Sequence, residues 1–407
     1  MPEILKNSLQ QNVKISNRAR VMQASPLRKL AATAEVRKKQ GVKVYHLNIG
    51  QPDLPTATIV YETIYKLGKP TLAYAPSAGI NQTITAWKNY FKHVGIDFDE
   101  SEIIVTSGGS EAIIFAMCAI CDAEDEIIVF EPFYTNYNGF ATIANVKLHP
   151  VPLSISNGFH LPDISEIEKH INKRTKGILF TNPSNPTGTV YTKDELRRLV
   201  TIAQKHNLYL LADEVYREFN YDSEFYSIMN FDEVKNQTIL LDSCSKRFNV
   251  CGARIGALAS HNKDIINSAF KFAMARLSVA TIEQLAIIPL LNNPDEYINP
   301  IVDEFRKRRD AVYEYLKTIP NITYYKPEGA FYIVIGLPVK DSEDFCKWLI
   351  EDFEHNKETV LIAPAQGFYA TPDKGINEVR LAFTIKIEEL IRALEIIKLA
   401  LEKYKNR

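Results

Sequence analysis

The sequence predicts an α/β protein in which a mainly parallel sheet is covered by helices on both faces and a smaller α+β domain follows. The first observation is that short, almost continuously apolar segments alternate with helical patterns from residue 103 to residue 242. Such strands are typical of parallel sheets whose two faces are both buried. The second observation is that this alternation stops after about residue 300, where a long charged helical pattern leads into further strands and helices. The change in pattern predicts the second, smaller domain.

Length, charge and cysteine content limit the classes of protein to which this chain can belong. The chain has 407 residues, which suggests two or three domains, and 46% of the residues are hydrophobic, as in ordinary globular proteins. A formal net charge of −1 gives no overall field that would attract nucleic acid or an anionic membrane. Five cysteines, an odd number without repeated spacing, favour a reducing compartment. Because the first residues lack a secretory pattern and no apolar stretch approaches ~20 residues, we expect a cytoplasmic protein.

The elements before residue 103 are predicted from residues that typically start or end helices and from short apolar runs. Ser25 suits an N-cap, Pro26 suits a first helical turn and Gly41 ends the pattern, so these residues bound a helix. The other predicted elements are a strand at 44–50 that runs into a turn at 50–53, helices at 56–70 and 80–93, and a loop at 74–79.

The alternating region is predicted from its apolar runs and from one capping motif. Thr192 and Glu195 form a capping box at the start of a helix. Cys118 and Cys121 make a CxxC pair within an apolar helical pattern, which we interpret as core packing. The predicted strands are 103–107, 126–130, 147–153, 176–181, 208–213, 238–242 and 254–259, and the predicted helices are 108–121, 135–144 and 192–207.

The last hundred residues predict the smaller domain. A polar linkage at 292–296 supports a domain boundary, and the basic run at 306–309 has acidic residues on both sides, which favours a solvated helix face over a nucleic-acid site. The predicted elements are a helix at 302–318, strands at 321–326 and 330–336, a helix at 342–353, two more strands and a final helix from residue 386.

Chemically useful side chains follow the predicted strands, at the end where ligands bind in such sheets. Residues 108–111 place glycines at a helix N-terminus, which is an anion site. Lys246 follows the strand at 238–242, on a predicted loop at the edge of the sheet. Viewed alone it is best explained as a solvated surface lysine, but hydroxyls and a guanidinium beside it suit a lysine that forms an imine with a phosphorylated carbonyl cofactor. The side chains that converge on this edge are Ser110, Tyr134, Asn185, Asp213, Tyr216, Ser243, Ser245, Lys246 and Arg254.

Six motifs in order carry a resemblance to a known family. They are Gly50-Gln-Pro-Asp53, Gly108-Gly-Ser-Glu-Ala112, Asn182-Pro-Ser-Asn-Pro-Thr-Gly188, Asp213-Glu-Val-Tyr216, Ser243-Cys-Ser-Lys246 with Arg254, and Val379-Arg-Leu-Ala-Phe383. The chain after residue 25 resembles the class I/II aminotransferases, which are fold type I enzymes dependent on pyridoxal 5′-phosphate, and it is aspartate aminotransferase-like. The motifs are specific for fold and cofactor and much less specific for substrate.

The resemblance implies a division into three parts. It implies an N-terminal arm at 1–25, a small α+β domain made from both chain ends at 26–55 and 300–407, and a large pyridoxal-phosphate-binding domain at 56–299 with a seven-stranded-type sheet. It also implies that the protein transfers an amino group between an L-amino acid and a 2-oxo acid by a ping-pong route.

The resemblance further implies roles for individual residues. Lys246 holds the cofactor as an imine and moves the substrate Cα proton, while Asp213 faces the pyridine nitrogen and keeps it protonated. Asn185 and Tyr216 hydrogen-bond the ring hydroxyl oxygen, and Tyr134 stacks on the ring. The catalytic residues are therefore Lys246, Asp213 and Tyr216, and the phosphate ligands are Ser243, Ser245, Arg254 and the backbone N–H groups of Gly109, Ser110 and Glu111.

Substrate binding and assembly are implied in the same way. Arg380 grips the α-carboxylate, helped by the backbone of Gly50 and the side chain of Asn185. Tyr74 reaches the phosphate of the neighbouring subunit, which implies a homodimer with shared sites. No metal site is predicted.

Substrate preference stays open at the level of sequence. Ser110 stands where some aspartate-using relatives carry a lysine, and Arg276 lies where a cation could serve a distal carboxylate or make a structural ion pair. Ile49, Tyr134 and Phe368 suit an apolar or aromatic side chain, so the expectation leans towards a broad or neutral preference. Two alternatives remain, a pyridoxal-phosphate-dependent C–S β-lyase or other lyase on the same fold, and a non-catalytic regulatory or binding protein.

Overall fold

Two sheets and a strand pair form the framework of the chain, whose computed structural model describes residues 15–23, 25–68 and 71–405. A seven-stranded sheet takes up the middle of the chain, and a four-stranded sheet takes up its C-terminal part. The strands are β1 (Lys43–His46), β2 (Ile103–Thr106), β3 (Glu126–Glu131), β4 (Lys147–Pro152), β5 (Thr175–Thr181), β6 (Tyr209–Asp213), β7 (Thr238–Ser243), β8 (Gly256–Ala259), β9 (Thr323–Tyr324), β10 (Tyr332–Gly336), β11 (Glu358–Leu361), β12 (Ala363–Pro364) and β13 (Glu378–Ala382).

Helices connect and cover these strands. Over the described ranges the α-helices are α1 (Asn17–Val21), α2 (Ala31–Lys39), α3 (Thr58–Lys66), α4 (Asn81–His93), α5 (Gly108–Ile120), α6 (Asn136–Ala144), α7 (Ile164–Glu168), α8 (Lys193–His206), α9 (Cys244–Arg247), α10 (Lys263–Arg276), α11 (Thr281–Ala286), α12 (Ile288–Asn292), α13 (Pro294–Leu316), α14 (Ser342–Glu351) and α15 (Ile387–Tyr404). Within the same ranges, none of these helices combines the length and the apolar character needed to cross a lipid bilayer.

The seven-stranded sheet has the order β2-β8-β7-β6-β5-β3-β4. All neighbouring pairs from β7 to β4 are parallel, whereas β8 runs antiparallel to both β7 and β2. Because two antiparallel pairings restore the direction, β2 points the same way as β7. The C-terminal ends of six strands therefore meet at one edge of the sheet.

Both faces of this sheet are buried, as the continuous apolar strands require. Successive side chains of β7 point to opposite faces, so that Leu240 belongs to the core cluster that includes the aromatic residues of α4, while Ile239 and Leu241 belong to the cluster that includes α5 and α10. The predicted fold class, a mainly parallel sheet with helices on both faces, is confirmed.

The smaller sheet has the order β12-β13-β10-β9 and is antiparallel throughout. Arg380 lies in the middle of β13, where it is paired with Val334 of β10 and Ala363 of β12. Strand β1 joins this part of the chain by pairing in parallel with β11. The predicted domain boundaries after residues 25, 55 and 299 stay a prediction, and most of the predicted arm lies outside the described residues.

Two departures from the predicted elements concern the first helix and the predicted domain linkage. The predicted helix from Ser25 to Gly41 is divided into a 3-10 turn at Pro26–Arg28 and helix α2. The predicted linkage at 292–296 is instead the beginning of α13, because a proline occupies its first turn and Asp295 and Glu296 follow, which suits the positive end of a helix.

The prediction of core packing for the CxxC pair holds for Cys121, which packs against the core next to α5, and is wrong for Cys118. Cys118 is exposed and Cys121 is half-buried. The core face of α5 is formed by small and apolar residues that recur around Ala112, Ala116 and Met117, and Cys118 is turned away from that face.

A cluster of buried charges fixes the connection between β7 and α9. Asp242 accepts hydrogen bonds from Arg217, at 3.0 Å, and from Arg247, whose side chain is fully buried. The Nε atom of Arg247 lies 3.2 Å from a carboxylate oxygen of Glu218, and its guanidinium stacks over Tyr90 at 4.5 Å from the ring centroid. The turn between Asp242 and Arg247 is therefore anchored at both of its ends.

We expect Arg247→Met to lower the free energy of unfolding by about 3–5 kcal/mol, because it removes one of the two buried arginines that balance the carboxylates of Asp242 and Glu218 and leaves only Arg217. Arg306→Met, which removes an exposed ion pair with Asp303, is the matched control and should change stability by less than about 1 kcal/mol. Urea unfolding followed by circular dichroism measures both variants. Equal, small effects would contradict the anchoring role of Arg247.

Candidate functional site

A cavity of about 390 Å³ opens at the edge of the large sheet where the parallel strands end. Its wall also includes Arg380 and Tyr332 from the four-stranded sheet. Of the predicted site residues, those that line it are Gly50, Gly109, Ser110, Tyr134, Asn185, Asp213, Tyr216, Ser243, Ser245, Lys246, Arg254 and Arg380. The expectation that these side chains converge at one sheet edge therefore agrees with the geometry, while their chemical roles stay predictions.

Lys246 lies in the single-turn helix α9 directly after β7, and not in the predicted loop. The turn forms because Ser243 caps it, accepting a hydrogen bond from the backbone N–H of Ser245. The half-buried Lys246 amine donates to the backbone oxygen of Gly50 at 2.7 Å. A side chain at position 50 would collide with the ring and hydroxyl of Tyr332, so the close approach of this backbone requires glycine.

Asp213 ends strand β6 inside the cavity wall and is buried. Its Oδ2 atom accepts a hydrogen bond from the Tyr137 hydroxyl at 2.7 Å, and Oδ1 lies 3.4 Å from the backbone nitrogen of Val215. Burial raises the pKa of the Asp213 carboxyl to about 6, and the Tyr137 hydrogen bond opposes this rise. No cation of the described chain forms an ion pair with Asp213, which leaves the carboxylate available to a positive ligand group.

The N-terminus of α5 forms the second part of the cavity wall. Residue Gly108 has a positive φ of +71°, and the guanidinium of Arg254 approaches it so closely that an added Cβ would lie 2.5 Å from Nη2. The register places Thr106 and Ser243 on either side of Gly256, so that α5, Ser243 and Arg254 come together. The Oγ atoms of Ser243 and Ser245 lie 2.8 Å apart. Free backbone N–H groups, hydroxyls and an arginine suit a phosphate.

Arg380 forms the opposite wall of the cavity. It is buried, its guanidinium stacks on Tyr332 at 4.6 Å and on Phe368 at 5.1 Å, and its Nη1 donates to Asn185 Oδ1 at 3.2 Å. Its Nη2 donates to the backbone oxygen of Asn48, and its Nε has no hydrogen-bond partner; among the described residues no carboxylate forms an ion pair with Arg380. Burial lowers the pKa of this guanidinium, which nevertheless stays charged as arginines do. The site therefore holds a buried cation that lacks an anion.

Three tyrosines complete the polar wall. The hydroxyl of Tyr216 lies 2.8 Å from that of Tyr332, and both side chains are buried. Tyr134 lies edge-on to Tyr137 and accepts a hydrogen bond from Asn136 at 2.8 Å. Burial raises the pKa of Tyr134 to about 12, so that its hydroxyl is neutral at physiological pH.

Several predicted residues lie outside the cavity. Tyr74 is 83% exposed and does not reach the cavity of its own chain. The Glu111 side chain accepts from the backbone of Ser107 and lies 3.4 Å from Arg276, whose Nη2 donates to two backbone oxygens. This geometry favours the structural ion pair over a distal-carboxylate role for Arg276 in this chain. Of the residues expected to form an apolar pocket, Phe368 does not line the cavity but packs against Arg380, which does. Ile49 lines the cavity itself.

Several residues of the site are absent from the sequence-based prediction. Tyr332 and Tyr137 act through contacts with residues 116 and 76 positions away, which no local pattern reveals. Cys251 lies five positions after Lys246, with its sulfur 3.9 Å from the Lys246 amine, and spacing could have suggested it. The cavity is also lined by the unpredicted residues Ser25, Arg28, Gln51, Ile113, Asn136, Thr181, Val215 and Cys251.

Comparisons with known proteins match nearly the whole described fold. The sequence model of the family Aminotransferase class I and II matches residues 42–397. A probable aspartate aminotransferase from Methanocaldococcus jannaschii is 33% identical over 362 residues, covering 87% of this chain and 92% of that protein. The aspartate aminotransferase of Bacillus subtilis is 31% identical over 399 residues, covering 95% and 98%.

Solved structures give the same result. An aspartate aminotransferase from Thermotoga maritima superposes with a TM-score of 0.87 at 30% identity, covering 97% of this chain and 100% of that chain. The aspartate aminotransferase from Thermus thermophilus with maleate gives a TM-score of 0.86 at 29% identity, covering 95% and 99%. The matches therefore include both sheets and the cavity between them.

We expect Asp213→Asn to become more stable relative to the natural protein as pH rises from 4 to 7, when no ligand is bound. The raised pKa means that the folded protein retains a proton that the unfolded chain has lost, so stability falls between about pH 4 and pH 6. A rise of about 2 units corresponds to about 3 kcal/mol, and the asparagine variant lacks this loss. Urea unfolding across this pH range measures the difference.

The matched variant for this test is Tyr137→Phe. It removes the hydrogen bond that lowers the Asp213 pKa, so the pH window in which stability falls should move upwards. A difference between the natural protein and Asp213→Asn that is independent of pH would contradict the effect of burial on Asp213.

Proposed function

We propose, since this chain belongs to the aminotransferase class I and II family, that the cavity around Lys246 is the active site of an aminotransferase acting on an L-amino acid and a 2-oxo acid. The observation that carries the proposal is the buried Arg380, a cation without a carboxylate partner, in the same cavity as Lys246 and Asp213. An amino acid or 2-oxo acid brings the carboxylate that this guanidinium lacks.

The family uses pyridoxal 5′-phosphate, and we propose that this cofactor occupies the cavity. When bound, it supplies an aldehyde that reacts with amines and a ring that accepts electrons from the substrate Cα. The residues fit, because the α5 N-terminus and Arg254 form a phosphate cradle and Asp213 offers an unpaired buried carboxylate for the ring nitrogen. Lys246 would hold the cofactor, with Ser243, Ser245 and the backbone of Gly109, Ser110 and Glu111 at its phosphate.

The remaining residues would orient the reacting groups. Asn185 and Tyr216 would hydrogen-bond the ring hydroxyl oxygen, and Tyr134 would pack against the ring face. Asp213 would keep a proton on the ring nitrogen, since a buried carboxylate favours a neighbouring positive charge. Once the substrate amine has displaced it from the cofactor, the Lys246 amine would take the proton from the substrate Cα and deliver it to the cofactor.

Substrate binding would use the two walls of the cavity. Arg380 would grip the α-carboxylate with a two-pronged pair, helped by Asn185, which already contacts it, and by the backbone of Gly50. Because the relatives carry the name aspartate aminotransferase, aspartate is the first amino donor to test. The alternatives of a lyase and of a non-catalytic protein have no supporting feature in the described cavity.

We also propose a homodimer that shares its sites. Tyr74 is exposed in the single chain, and Ala73 beside it is held by a hydrogen bond from the Thr281 hydroxyl. In a dimer with twofold symmetry, Tyr74 would reach the phosphate of the neighbouring subunit.

The five free thiols, of which Cys118 is exposed, support a reducing compartment and hence the cytoplasm.

A screen of amino acids in single-turnover mode tests the proposed reaction. Each L-amino acid is mixed with the enzyme loaded with pyridoxal 5′-phosphate, and the 2-oxo acid, ammonia and pyridoxamine 5′-phosphate are quantified. We expect one 2-oxo acid per active site without ammonia. Continuous ammonia release without pyridoxamine 5′-phosphate would instead show a lyase.

We expect Lys246→Arg to lower turnover at least about 1,000-fold, because the guanidinium keeps the charge but supplies neither a nucleophilic amine nor a proton acceptor. The protein should remain folded, since α9 is held by its cap and by Arg247. Steady-state assays and circular dichroism measure the two properties. Lys263→Arg, at the exposed start of α10, is the control, and turnover of Lys246→Arg near that of this control would exclude the role of Lys246.

We expect Arg380→Gln to lower kcat/KM for amino acids about 100-fold or more while leaving the absorbance of bound pyridoxal 5′-phosphate unchanged, because the lost interaction is a buried pair with substrate. Arg380→Lys keeps the charge but cannot form two parallel hydrogen bonds to a carboxylate, so we expect a smaller loss of kcat/KM. Absorbance titration and initial rates separate the two effects. Loss of cofactor binding with normal kinetics in the saturated enzyme would mean that Arg380 acts elsewhere.

A further inference from the structure

The cavity contains one more cation than the proposed chemistry uses. Its wall carries four basic side chains, Arg28, Lys246, Arg254 and Arg380, and one acidic side chain, Asp213. Three of the cations have proposed partners in the cofactor and in the α-carboxylate. Arg28 has none, although it belongs to the same cavity.

Arg28 is placed by the 3-10 turn Pro26–Arg28, which packs against the C-terminal part of the chain. The ring of Pro26 lies so close to Gly367 that an added Cβ at position 367 would lie 2.5 Å from Cγ of the proline. Because Pro26 is rigid and tightly seated, the turn has a defined position at the cavity. Ser25, the residue that precedes the turn, lines the cavity as well.

The guanidinium of Arg28 is not engaged by the protein around it. Within the described part of the chain, no carboxylate lies within 4.0 Å of Arg28 and no hydrogen bond from its guanidinium is formed. Its sequence neighbour Lys29 contrasts with it, because the Lys29 amine forms an ion pair with Glu343 at 2.7 Å. The charge of Arg28 is therefore available to a molecule that enters the cavity.

Arg276 is less suited than Arg28 to bind a carboxylate of a ligand in this cavity, because its own side chain is engaged within the chain. Its Nε lies 3.4 Å from Glu111, and its Nη2 donates to the backbone oxygens of Ser77 and Val105. Arg276 also does not line the cavity. Of the two arginines that could meet a distal carboxylate, Arg28 is the one at the cavity wall.

We propose that Arg28 is a specificity-determining residue that binds a carboxylate on the side chain of the substrate. The proposal rests on the proposed function, in which Arg380 takes the α-carboxylate. An arginine fork matches a carboxylate in two hydrogen bonds, which gives selectivity for dicarboxylic over neutral amino acids. Under this proposal the enzyme prefers acidic amino acids, and not the broad or neutral set expected from sequence. The arginine responsible comes from the N-terminal segment of the same chain.

The test compares Arg28→Gln with Lys29→Gln, which removes the same charge one residue away from a side chain committed to Glu343. The apparent second-order rate constant of the single-turnover reaction is measured for aspartate, glutamate, alanine and phenylalanine with the enzyme loaded with pyridoxal 5′-phosphate. Arg28→Gln should lose about 10- to 100-fold with the two dicarboxylic amino acids, the range expected for hydrogen bonds to a charged group, and little with the neutral ones. Lys29→Gln should resemble the natural protein with all four.

A second measurement separates binding from chemistry. Maleate and acetate are titrated against the loaded enzyme and followed by absorbance, and Arg28→Gln should weaken maleate about 10- to 100-fold without weakening acetate. Equal losses with acidic and neutral amino acids, or no loss with either, would overturn the role of Arg28. If the natural enzyme reacts with no amino acid at all, the proposed function fails, and the maleate titration still decides whether Arg28 binds a distal carboxylate.

Discussion

The position of Lys246 depends on the buried ion pair between Asp242 and Arg247. These two residues lie on either side of the turn that carries Ser243, Ser245 and Lys246, and both side chains are fully buried. Buried charges are tolerated only when their partners are held in good geometry, so the polypeptide between them has little freedom. The pair thereby fixes the place at which the lysine enters the cavity, although neither of its members lines that cavity.

The direction of the strands brings the other functional groups to the same place. Thr181 is paired with Asp213 across β5 and β6, and Ser243 ends the next strand. Because these strands are parallel, their last residues share one edge of the sheet, where side chains are no longer covered by helices. The four-stranded sheet then closes the cavity with Arg380, so the site exists only where the two sheets meet.

Much of this arrangement could be predicted from the sequence, because the apolar strands and the short motifs at their ends are local signals. The sequence predicts a loop at Lys246 because one helical turn is too short to show a helical period. The start of α13 looks like a linker in the sequence because polar residues are common both in linkers and at helix N-termini. Tyr137 and Tyr332 could not be predicted, since they make contacts with distant parts of the chain, and Arg28 could not be predicted because only the fold brings it to the cavity wall.

The electrostatics of the cavity explain why it suits a charged ligand. Burial raises the pKa of Asp213 and lowers that of Arg380, so each charge is destabilised in the protein by itself. The two groups line the same cavity, yet the fold keeps them from forming an ion pair with each other. A ligand with a cationic ring nitrogen and a carboxylate would relieve both charges at once. The free energy that these buried charges cost in stability would thus be recovered when the proposed substrate and cofactor bind, which is the usual relation between stability and function at active sites.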